Sequence, residues 1–106
     1  MENEIKIKDW LYELQDGSYK VITKEGTFVL KDIEYDKLTR AKKRGESSNN
    51  IDVCILSEMI INKDGKDIKI GELELQTFKT STIMKLLQVL NLIMGAGDFL
   101  EEFKPN

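Results

Sequence analysis

Residues 80–95, TSTIMKLLQVLNLIMG, constrain this chain more than any other segment. Ile83, Leu86, Leu87, Leu90 and Ile93 recur at the spacing of one helix face. Thr80 or Ser81 can cap the start, and Gly95 can close the end in a left-handed conformation. Val89 and Leu92 add apolar surface beside that stripe. A helix with this much apolar surface either sits centrally in its domain or offers a face to a partner.

The rest of the chain must supply the other side of a modest core. Apolar residues make up 41% and charged residues 33%, a globular balance rather than a disordered one. The net charge of -3 argues against a general polyanion binder, although a local basic patch can still act. No apolar run approaches the ~20 residues of a membrane span, so no membrane partner is expected. Residues 1–9 alternate charged and apolar types and lack the apolar centre of a secretion signal. Cytoplasmic localisation is the expectation.

Residues 1–8 read as charged and frayed. Residues 9–14 then read as a strand, with Trp10, Tyr12 and Leu14 on one side. Asp16-Gly17 supplies a turn, residues 19–23 a second strand, Lys24-Glu25-Gly26 a second turn, and residues 27–30 a third strand. Together they predict an antiparallel meander. Adjacent apolar pairs such as Val21-Ile22 mean that one sheet face is not simply wet, with helices expected to cover part of both faces.

Asp32 is placed to cap a helix over residues 33–44, with Tyr35, Leu38 and Ala41 on its inner stripe and Gly45 as its stop. GESSNN, residues 45–50, reads as a flexible polar loop. Asn49 or Asn50 caps an apolar helix over 51–61, though its β-branched content leaves a strand open. NKDGKD, residues 62–67, is a turn around Gly65. Residues 68–75 fit a short strand, an extended connector or an extra helical turn. The fold class expected is α+β, a small N-terminal antiparallel β-meander followed by about three helices. Residues 1–97 form one domain in this reading, and 98–106 an amphipathic tail.

Little in the chain suggests catalysis. There is no histidine, which removes the commonest general base and metal ligand. Cys54 is the single cysteine, too few for a structural zinc site, and it lies in an apolar run as a small hydrophobe does. Gly95-Ala96-Gly97 ends a helix instead of opening one, the wrong polarity for a phosphate loop. The carboxylate pairs Glu34/Asp36, Glu72/Glu74 and Glu101/Glu102 sit in charge-rich stretches and read as solvated charged faces. No enzyme activity, cofactor or metal is expected. Lys37, Arg40, Lys42, Lys43 and Arg44 could lie against nucleic acid, but cations also favour a helix C-terminus, and no aromatic residue is interleaved to stack on bases.

The order of parts carries a resemblance. A strand leads into LKDIEYDKLTRAKK, a polar loop follows, then IDVCILSEMII, a connector, and FKTSTIMKLLQVLNLIMG. This resembles the small tail assembly chaperones of tailed bacteriophages and prophages over residues 17–95. Asp32 to Ala41 matches the family's strand-to-helix junction, and Phe78 to Gly95 its closing helix. Residues 68–75 depart from the pattern, which would begin the closing helical unit sooner. The resemblance implies a protein that binds the tape measure protein, or another tail protein, in the bacterial host cytoplasm before the tail tube forms. It also implies absence from the finished tail and a longer product made by frameshifting. The residues read as contacts are Met84, Leu87, Val89, Leu92 and Met94 on the last helix, with Phe99, Leu100 and Phe103 in the tail. A homo-oligomer is also compatible. Two other readings are a small nucleic-acid-binding regulator using residues 37–44 and a structural virion subunit of the tail.

Overall fold

The structure is a computed structural model, and it describes residues 4–95. The strands are β1 (Ile5–Lys8), β2 (Leu11–Glu13), β3 (Tyr19–Thr23), β4 (Gly26–Leu30), β5 (Ile60–Lys63) and β6 (Lys66–Asp67). The helices are α1 (Tyr35–Ser48), α2 (Ile51–Met59), the single turn α3 (Glu72–Leu75) and α4 (Thr80–Met94). The strands form one six-stranded antiparallel sheet in chain order. The expected α+β class holds. The meander does not end before the helices, however. The α1–α2 pair is an excursion between β4 and β5, and the chain then returns to the strand it left.

Register explains which sheet face is covered. Leu11 pairs with Val21, and Val21 with Phe28. Leu30 pairs with Ile60 two residues further along. All five are buried and, by strand alternation, share one face. Ile55, Leu56, Met59, Ile70, Leu75, Leu86, Val89 and Leu90 complete the same core from the helical side. Phe78 tilts against Phe28 with ring centroids 5.7 Å apart. The opposite face carries the row Lys6, Tyr12, Lys20, Val29, Asn62 and Asp67. There Lys20 Nζ lies 4.7 Å from the Tyr12 ring centroid and 2.9 Å from a Glu4 carboxylate oxygen.

Several boundaries differ from the expectations. Ile5–Lys8 is a strand at the sheet edge rather than a frayed end, and all four residues are exposed. The strand over 9–14 is shorter and of the other parity. Trp10 lies in the β1–β2 turn, and Leu11 is the residue that enters the core. In α1, Asp32 accepts the Ile33 N–H at 2.8 Å, but the helix starts at Tyr35 and runs through Gly45 to Ser48. Asn49, at φ 61°, terminates it, and the Asn49 and Asn50 N–H groups both donate to the Gly45 carbonyl. The polar segment 45–50 is therefore mostly helix plus a tight turn. Gly45 is needed for packing: a Cβ there would lie 2.3 Å from Ile51 Cα.

The apolar run over 51–61 divides. Its first nine residues are helical, with Cys54, Ile55, Leu56, Ser57 and Met59 buried. Ile60 then turns into β5 because pairing with Leu30 engages its backbone. The Met59 carbonyl accepts the Lys31 N–H at 3.0 Å, which fixes the exit. Asp64 and Gly65, at φ 54° and 87°, make the two-residue turn between β5 and β6. Residues 68–71 form an extended connector, and α3 adds one helical turn before α4. The Ser57 hydroxyl donates to the Ile70 carbonyl at 2.7 Å and ties that connector to α2.

Candidate partner-binding surface

The closing helix α4 lies across the sheet against β3 and packs on α2. Its boundaries agree with the reading of residues 80–95, and Gly95 caps it at φ 89°. The N-terminal cap is Lys79 rather than Thr80 or Ser81, and no side chain within the helix caps it.

The phase of the buried side is rotated from the one expected. Thr82, Leu86, Val89 and Leu90 face the core, while Ile83, Leu87 and Ile93 are only half-buried. The rotation sorts the candidate contacts. Met84 is 53% exposed and Leu92 42% exposed, so both are available at the surface. Leu87 and Met94 are half-buried and flank the core. Val89 is a correction: it is fully buried within the core cluster rather than facing outward. Phe99, Leu100 and Phe103 lie outside the described residues.

The exposed residues of α4 are Thr80, Ser81, Met84, Gln88 and Leu92, and none is charged. The helix's one charged residue, Lys85, is half-buried with its Nζ 5.4 Å from the Trp10 ring centroid. That contact turns the ammonium toward the β1–β2 turn and leaves the outer stripe neutral. Gln88 and Ser81, absent from the candidate contacts, share the face of Met84 and Leu92. The signal was available in helical phase: positions 81, 84, 88 and 92 fall on one side. Other exposed apolar residues are dispersed on β1 (Ile5, Ile7), β3 (Ile22), the start of α1 (Tyr35), β5 (Ile61), the connector after β6 (Ile68) and α3 (Leu73).

The basic helix is largely engaged with carboxylates. Lys37 pairs with Glu34, the residue just before α1, and Arg40 with Asp36 inside it. The Arg44 guanidinium reaches Glu72 at 2.7 Å and Glu58 at 3.3 Å. Lys69 also reaches Glu58 at 3.5 Å, so the cluster joins α1, α2, α3 and the connector. The hydrogen bond from Arg44 to Glu72, more than any other contact, raises the guanidinium pKa above its ordinary value. These pairs are exposed and each contributes little stability, but they leave less positive charge for a phosphate backbone.

Cys54 is buried, and that burial pushes its thiol pKa up, away from the reactive range. Among the described residues no group of histidine, cysteine or carboxylate side chains could hold a metal ion. Among them, too, no helix is long and apolar enough to cross a membrane. No protein-family model matches the chain, and neither does any curated protein or solved structure.

Proposed function

We propose that this chain is a tail assembly chaperone of a tailed bacteriophage or prophage, which binds the tape measure protein in the host cytoplasm before the tail tube forms. The proposal rests on the resemblance over residues 17–95. One structural observation supports it: the outer stripe of α4, with Met84 and Leu92 on either side of Gln88, is exposed and uncharged. Solvated helix faces ordinarily carry charge, whereas the centres of interfaces are depleted of it and enriched in methionine. A long amphipathic helix is a suitable ligand for such a face, and the flexible thioether of Met84 adapts to varied sequence.

The test is co-expression with the tape measure protein encoded beside this gene, followed by size-exclusion chromatography. A soluble complex, with a partner insoluble when alone, supports the proposal. A partner that stays insoluble beside free small protein counts against it.

A further inference from the structure

Residues 69–77, which join β6 to α4 through α3, lie against α2 without entering the backbone hydrogen-bond network around them. On one side Ile68 donates its N–H to the Ile61 carbonyl at 3.2 Å, and on the other Phe78 lies against Phe28. Between those two ties, every backbone–backbone hydrogen bond of residues 69–78 in the described structure stays inside the segment. Of residues 69–77, only Ile70 and Leu75 are buried.

Side chains hold the segment to its neighbours. The Ser57 hydroxyl donates to the Ile70 carbonyl at 2.7 Å, and Lys69 reaches Glu58 at 3.5 Å. Arg44 of α1 bridges Glu72 at 2.7 Å and Glu58 at 3.3 Å. All of these charged groups reach solvent, so salt screens them. Cys54, Ser57 and Glu58 fall on one face of α2. Ser57 and Glu58 both bond to the segment, so Cys54, one turn earlier, lies under the same cover. Its thiol is 1% exposed. Burial raises that thiol's pKa most and the Glu72 carboxylate next, which puts the carboxylate beside it.

We infer that residues 69–77 form a strap that lifts off α2 as one unit, without global unfolding, and that Cys54 becomes reachable when it does. Elements with few backbone bonds to their surroundings and few buried side chains open locally, at a lower free energy than the whole domain. Lifting the strap breaks one buried hydrogen bond, withdraws Ile70 and Leu75 and separates solvent-facing ion pairs. The sheet and the α1–α2 pair keep all their backbone bonds. The inference concerns the strap alone and is independent of the tape-measure proposal.

The experiment is labelling of Cys54, the single thiol, by the neutral reagent 4,4′-dithiodipyridine in the folded full chain, at rising urea below the unfolding transition. With fast reclosing, the rate reports the open population. It should be nearly independent of urea there, because lifting the strap exposes little surface. Sodium chloride at ~1 M should raise it about threefold relative to free cysteine in the same buffer. Arg44→Gln should also raise it about threefold. Ser57→Ala, which leaves the buried Ile70 carbonyl unpaired, should raise it about tenfold. Lys37→Gln removes an ion pair outside the cluster and should leave the rate unchanged. Circular dichroism checks that each variant folds, and the urea and salt series on the unmodified chain need no variant. A rate that rises with urea as steeply as global unfolding overturns the inference, as does an absence of labelling below the transition. So does a rate indifferent to salt and to both substitutions, or one that Lys37→Gln raises as much as Arg44→Gln.

Discussion

The Glu25 carboxylate accepts the Lys79 backbone N–H through both oxygens, each at 3.1 Å, across 54 residues of sequence. It does for α4 what an N-cap side chain does for other helices, but it comes from the β3–β4 turn. Its negative charge also sits at the positive end of the helix dipole. The contact thus anchors the start of α4 to the tip of the sheet. Glu25→Ala should destabilise the chain by about 1 kcal/mol, the usual loss on removing a cap. Glu25→Gln keeps an acceptor and should fall between. Urea unfolding followed by circular dichroism measures both, and a loss indistinguishable from zero for Glu25→Ala would show that the cap is not holding the helix.

Gly45 and Gly71 should respond oppositely to alanine. In an open helix interior, Gly→Ala gains about 1 kcal/mol of propensity. At Gly45 the new methyl would meet the Ile51 backbone, Cα at 2.3 Å and N at 2.8 Å, and neither atom can swing aside. The α1–α2 crossing must open, at a cost of ~1–3 kcal/mol for overpacking. Gly71 has φ -76° and nothing within 4 Å of its added Cβ, so Gly71→Ala should be neutral or mildly stabilising. Paired denaturation curves check this, and a stabilised Gly45→Ala would contradict the close crossing.

Much of the architecture was legible where one local signal pointed one way. Asp16-Gly17 and Lys24-Glu25-Gly26 placed the turns flanking β3, and Gly95 placed the end of α4. The signal failed where tertiary contacts override a local preference. Gly45 reads as a stop, because glycine commonly ends helices, but it is there for close approach. Ile60 and Ile61 continue an apolar helical run by pattern, but strand pairing with β4 claims them. Asp64-Gly65 was visible as a turn, yet its flanks NK and KD are too polar to announce a hairpin. The candidate surface was half legible. Apolar identity marked α4, but only packing against β3 and α2 fixes the phase that hides Val89 and exposes Gln88.

Thr82 is fully buried, and its hydroxyl has no hydrogen-bond partner among the described residues. A hydroxyl held out of water without a partner costs about 1–3 kcal/mol. Thr82→Val replaces it with a methyl of nearly the same shape. The variant should be more stable by ~1 kcal/mol, with Tm higher by a few degrees. A calorimetric scan decides it, and a destabilised variant would mean that the hydroxyl has a partner in solution.

Met84 and Leu92 should separate from Val89 in what their loss affects. Met84→Glu with Leu92→Glu puts two charges on an exposed face and leaves the core intact, so stability should change by less than ~0.5 kcal/mol per site. Binding to a helical partner through this face should fall at least ~tenfold, since each carboxylate would be desolvated against an apolar surface. Val89→Ala should do the reverse. It removes buried methyl groups from the core and should cost ~1–3 kcal/mol in stability. Below its lowered melting transition it should still bind. Urea unfolding of each variant, alongside pull-down with the co-expressed tape measure protein, gives both readouts from the same preparations. If the Val89→Ala protein folded but lost its partner while the double Glu variant kept it, the outer stripe of α4 would not be the binding surface.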